Sequence, residues 1–107
     1  MSRSIQVFVD MAVDPAREQE MLRYFETTFR PAAKKFQGYL EVNLLKLRSV
    51  IVGNAPAGVN YRFELSYENE ELRQKWVTSD IHAEVWGTLE KMFSSPNYIV
   101  LLFDVVT

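Results

Sequence analysis

His82 is the sole histidine of the chain, so it is the one side chain whose unperturbed pKa, about 6.5, suits proton transfer near neutrality. Two readings fit it. It could act as a general base, or it could be a structural residue at a helix start, bonded to backbone or to Ser79 three residues before it. Trp76 and Trp86 flank it, and their indoles offer large faces with a single N–H for orientation. They could wall a flat aromatic ligand, or pack against a sheet as core. Tyr67 stands at a strand end, where its hydroxyl could hydrogen-bond a ligand oxygen in a cleft or be satisfied within the core. Asn43 shares a strand parity with Leu45 and Leu47 and could orient a substrate carbonyl or bridge to a neighbouring strand. The candidates are therefore His82 and Tyr67 for catalysis, and Trp86, Trp76 and Asn43 for binding.

Composition removes other chemistries. The chain has no cysteine, which excludes a disulfide framework, a thiolate zinc site, an iron–sulfur cluster and a cysteine nucleophile, and fits an intracellular, cytoplasmic setting. Asp10, Asp80 and Glu84 have only the lone histidine for company, so no metal site is expected. The 12 basic and 14 acidic residues are scattered, with no basic block to track a phosphate backbone, and nucleic acid is not an expected partner. Met1-Ser2-Arg3-Ser4-Ile5-Gln6 lacks the apolar stretch of a signal peptide and should stay on the protein. The longest apolar run, Tyr98 to Phe103, is strand length, far short of the ~20 residues that span a bilayer.

The elements that must position these residues follow from periodicity. Alternation from Ile5 to Val13 gives a first strand. Asp14-Pro15 opens a long helix whose stripe is Leu22, Phe25, Phe29, Ala32 and Phe36; Pro31 should kink it, because proline cannot donate to the carbonyl of Thr27, and Gly38 ends it. A second strand runs from Tyr39 to about Ser49 with a bulge or change of environment midway. The glycine- and proline-bearing stretch Val50 to Asn60 leads to a third strand, Tyr61 to Glu68, whose polar parity is Arg62, Glu64, Ser66 and Glu68 and carries no expected chemistry. Asn69 caps a short helix and Ser79 a second one that strings His82, Val85, Trp86, Leu89 and Phe93 along one stripe, before a last strand from Tyr98 to Val106.

The order β-α-β-β-α-β over a single domain, residues 1–107, is an α+β, ferredoxin-like split β-α-β sandwich with helices on one face of the sheet. The other face should carry apolar groups from strands one, three and four, and two sheets pressed together would cover it, so a homodimer is expected.

Phe63-Glu-Leu-Ser-Tyr-Glu-Asn-Glu-Glu-Leu72, then Trp76-Val-Thr-Ser-Asp-Ile-His82 and Trp86, resemble the antibiotic biosynthesis monooxygenase family of dimeric α+β barrel proteins; Phe29-Arg-Pro-Ala-Ala-Lys-Lys-Phe-Gln-Gly38-Tyr-Leu resembles the end of their first helix and their second strand. The resemblance implies a cofactor-independent monooxygenase acting on a small aromatic of quinol or phenol type, with no metal, flavin or haem: the substrate is deprotonated and its anion reduces dioxygen directly. In that reading His82 accepts the proton while Tyr67 and Trp86 orient the ring. Relatives that degrade haem place a histidine ligand on the last helix and a tryptophan at the end of the third strand; here Trp86 and Tyr67 stand at those places. A non-catalytic dimer that binds a small ligand is the alternative from a different class.

Overall fold

In the computed structural model, which describes residues 4–107, the alternating segment Ile5–Met11 forms β1, with Ile5, Val7, Val9 and Met11 buried and the residues between them half-buried. The expectation for Met1-Ser2-Arg3 lies outside the described residues. The remaining strands are β2 (Tyr39–Lys46), β3 (Tyr61–Tyr67) and β4 (Ile99–Asp104). They form one antiparallel sheet in the order β2-β3-β1-β4, so the chain has an α+β, ferredoxin-like fold. β1 sits centrally: Val7 faces Leu65 of β3 on one side and Leu102 of β4 on the other.

The first helical stretch is one run in four parts. Asp14 caps the 3-10 turn Pro15–Arg17 by accepting from the Ala16 amide at 3.0 Å. α1 (Glu18–Tyr24), a π-helical segment (Phe25–Phe29) and α2 (Arg30–Lys34) follow. The expected irregularity near Pro31 is present but lies ahead of it. Thr27, whose carbonyl Pro31 cannot serve, falls inside the widened turn, and the Arg30 amide reaches back five residues to Phe25 O. Met21, Phe25, Phe29, Ala32 and Ala33 are buried by this run. Leu22 and Phe36, placed on the stripe by spacing, pack at its margin.

Gly38 closes the turn into β2 with φ of +92°, and a Cβ there would lie 2.6 Å from Leu72 Cδ1. The irregularity of β2 falls at its start, between Tyr39 and Glu41, rather than midway. Asn60, expected as loop, is a clasp: its side chain accepts from Val13 N at 2.7 Å and donates to Val13 O at 2.8 Å. This pins the end of the long β2–β3 connection to the chain leaving β1.

α3 (Glu70–Val77) and α4 (Asp80–Glu90) begin at the expected caps. Asn69 Oδ1 accepts from Leu72 N at 2.9 Å, and Ser79 Oγ accepts from His82 N at 3.1 Å. Helices cover one face of the sheet, but not evenly: Val100 and Leu102 of β4 share the helix-side parity with Val9 and Val7, yet stay about half exposed.

The opposite face corrects an expectation. β3 contributes no apolar residue to it, only Arg62, Glu64 and Ser66, and β1 contributes Phe8 between Gln6 and Asp10. Arg62 grips Asp10 through Nε and Nη2 at 2.6 and 3.0 Å and lies over the Phe8 ring. The apolar surface of this face comes mainly from Ile99, Leu101 and Phe103 of β4, an edge strand all of whose six residues are exposed, with Leu45 of β2 exposed at the other edge. Among the described residues no helix is long and apolar enough to cross a membrane.

Candidate functional site

The turn between α3 and α4 fixes the site. Because Ser79 caps α4 through the backbone of His82, the imidazole is not used by the cap and projects toward the sheet. It lines a half-open cavity of about 230 Å³ with Trp76, Val77 and Arg73 from α3, Trp86 from α4, Val7 and Val9 from β1, Phe63 and Leu65 from β3, and Tyr98 and Val100 at β4. A cavity of roughly 150 Å³ already admits benzene, so this one has room for a one- or two-ring aromatic.

Aromatic side chains shape it. The His82 ring lies edge-on to Trp76, with centroids 5.0 Å apart, and parallel to Trp86, with 7° between the planes and 6.2 Å between centroids. Trp86 is held from behind by edge contacts with Phe29, Phe63 and Phe93, and its Nε1 donates to Tyr98 Oη at 3.3 Å. Trp76 is anchored by Phe29 and Phe36 and is 1% exposed, so it is core with one edge at the cavity. Each ring thus packs against aromatic neighbours and also borders the cavity.

Among the described residues no protein group hydrogen-bonds the imidazole nitrogens of His82. Burial lowers its pKa from the ordinary value, and the nearby Arg73 cation lowers it further. The ring is therefore neutral at pH 7 and able to accept a proton. Arg73 itself is paired to Glu70, which takes hydrogen bonds from Nε and from Nη2, the latter at 2.8 Å. No cluster of three or more His, Cys, Asp or Glu side chains is gathered among the described residues.

Two of the five candidates lie elsewhere. Tyr67 is fully buried outside the cavity, its hydroxyl directed to Ala33 O at 3.4 Å and its phenol pushed up by burial. Asn43 pairs in register with Glu64 on the far side of the sheet, where its Nδ2 donates to Glu41 at 2.9 Å. The sequence reading passed over Arg73 and Tyr98. For Arg73 a signal existed: it stands three residues before Trp76 and four before Val77, the spacing that shares a helix face.

No family model matches the chain, and no curated protein matches it in sequence. Solved structures do match in shape. A dimeric ferredoxin-like protein of unknown function from Jannaschia sp. superposes with a TM-score of 0.78 at 12% identity, over 95% of this chain and 99% of its own. SnoaB, a cofactor-independent oxygenase from Streptomyces nogalater, gives 0.77 at 12% identity over 99% and 96%. A "putative antibiotic biosynthesis monooxygenase" from Caulobacter crescentus gives 0.75 at 18% identity over 99% and 92%. At these identities the shared property is the fold.

Proposed function

We propose that this chain is a cofactor-independent monooxygenase of the antibiotic biosynthesis monooxygenase type, acting on a one- or two-ring phenol or quinol. The observation that carries the reading is the unbonded, neutral imidazole of His82 set in an apolar cavity between Trp76 and Trp86. A base, aromatic walls and a site that excludes water are what such chemistry asks of a protein. The fold shared with a cofactor-independent oxygenase supports it.

In this reading a flat substrate stacks on Trp86 with its hydroxyl toward His82. The imidazole takes the phenolic proton, and the electron-rich anion passes electrons to dioxygen. One oxygen atom enters the ring carbon as a carbonyl, and the other leaves as water with the two hydrogens lost from the substrate. Tyr98 and Arg73 supply the remaining polar edge of the cavity.

The working form is a cytoplasmic homodimer. β4 is apolar and exposed on both faces, with Val100 at 54% and Phe103 at 49%, and a second copy would cover it. A neighbouring fold described as dimeric points the same way.

The test is oxygen uptake by metal-stripped protein with hydroquinones and dihydroxynaphthalenes, against a buffer blank that captures autoxidation. Turnover above the blank that falls ~100-fold in His82→Ala supports the proposal and assigns the base. No turnover across the panel, with thermal stabilisation by the same compounds, replaces it with a ligand-binding module.

A further inference from the structure

The cavity lining is mostly apolar; its polar groups are Tyr98, bonded to Trp86, and the pair Arg73 of α3 and His82 of α4, near enough for the cation to act on the imidazole. The Arg73 side chain is only 15% exposed, and burying a guanidinium in apolar surroundings is costly unless its donors are used. Glu70 uses two of its three nitrogens, Nε and Nη2, and thereby fixes the plane of the fork. Among the described residues Nη1 has no protein partner and keeps contact with solvent, since no side-chain nitrogen or oxygen there is both buried and unbonded. Glu70 itself is 40% exposed and is not among the lining residues, whereas Arg73 is.

We propose that Arg73 is the specificity-determining residue of this cavity, selecting planar aromatic ligands that carry an ionised oxygen, a carboxylate or a phenolate, over their neutral isosteres. The inference deepens the aromatic-site reading above and rests on its placing the ligand in this cavity. The ring lies along Trp86, and the anionic oxygen accepts from Arg73 Nη1. Arginine suits this task because its fork is held in one plane and its charge is permanent. For a phenol, the same contact stabilises the anion that His82 creates, so Arg73 favours the deprotonated substrate without touching the proton.

The experiment is isothermal titration calorimetry at pH 8 with 2-naphthoate and 2-naphthamide, planar isosteres that differ in charge and carry no oxidisable hydroxyl. Wild-type protein should bind the naphthoate about tenfold tighter or better. Arg73→Met should bring the two affinities together, Arg73→Lys should keep part of the preference, and Glu70→Gln, which frees the guanidinium, should keep or raise it. Equal affinities in wild type, a preference that survives in Arg73→Met, or no binding of either probe would overturn the proposal. If Arg73→Met fails to fold by thermal melting, the ordering Glu70→Gln at or above wild type, with Arg73→Lys below it, carries the decision. Anion preference without oxygen uptake on hydroquinones leaves Arg73 in its role and removes the oxygenase; uptake without anion preference does the reverse.

Discussion

The imidazole of His82 and the indole of Trp86, four residues later on α4, lie parallel to within 7° with centroids 6.2 Å apart. One helix turn thus holds a base and a stacking wall side by side, both aimed into the same cavity. The pairing also buries the base, which makes it titrate late.

Stability should therefore fall with acid through His82. The native pKa of His82 is depressed by burial and then by Arg73. Below the unfolded value of about 6.5 the unfolded chain binds a proton that the native chain does not, so stability is fully present above that pH and is lost as pH falls toward the lowered native value. Thermal melts of wild type should decline as pH falls from about 7 through and below the unfolded value of about 6.5, and His82→Gln should flatten the decline. A wild-type profile flat over that window would contradict the burial of the ring.

The two tryptophans should separate by readout. Trp76 is core, so Trp76→Ala should cost about 3–5 kcal/mol by denaturant unfolding. Trp86 is only partly buried and makes the stacking wall; Trp86→Leu should weaken aromatic ligands at least about tenfold while costing less stability than Trp76→Ala. Equal losses in both assays for both variants would mean that neither ring is specialised.

Gly38→Ala should destabilise by about 2 kcal/mol or more, since it meets both a positive φ and the Leu72 side chain. Pairing it with Leu72→Ala distinguishes the causes: the double variant should recover the steric share of the loss and none of the backbone share.

Tyr61 joins Glu18 and Lys46 into a clip between α1 and the β2–β3 pair, with its hydroxyl 2.6 Å from Glu18 and Lys46 Nζ 2.7 Å from the same carboxylate. Burial and the Glu18 carboxylate push the phenol up to about 12. Tyr61→Phe should cost about 1 kcal/mol, and absorbance titration of wild type should show one tyrosine ionising near that raised value.

Self-association should depend on β4. Native mass spectrometry at micromolar concentration should give a dimer, and Leu101→Lys with Phe103→Lys, two exposed residues on the face opposite the helices, should give a monomer. A wild-type monomer at that concentration would remove the assembly from the proposed function.

The strands and caps were legible because they rest on local rules. Alternation in Ile5–Met11 and Tyr61–Tyr67 and the side-chain caps at Asn69 and Ser79 need only neighbours in sequence. The site was legible in part for the same reason. His82, Trp76 and Trp86 share helical spacing around one turn, so they arrive together. Asn43 failed to join them because the face each strand turns to the helices is set by register with strands distant in sequence, whereas Tyr67 does turn to the helix side with Phe63 and Leu65 but meets Ala33 of α2 instead of the cavity. Tyr98 was invisible for a related reason: only the fold brings it to Trp86. The widened turn ahead of Pro31 appeared as a kink at the proline, since periodicity registers that a donor is missing but not how the backbone redistributes it.

That widened turn has a consequence for how the molecule could be altered. A π segment behaves as a helix carrying one residue too many, and each residue of a regular helix advances the side chains by about 100°. Phe29, which touches Trp76 and Trp86, lies at its end, whereas Glu18, held by Tyr61 and Lys46, lies a full segment before it. The two ends of the run are therefore phased separately, one to the sheet and one to the cavity. Deleting a single residue between Phe25 and Phe29 would restore a regular helix, yet it would force one of those attachments to rotate away from its partner.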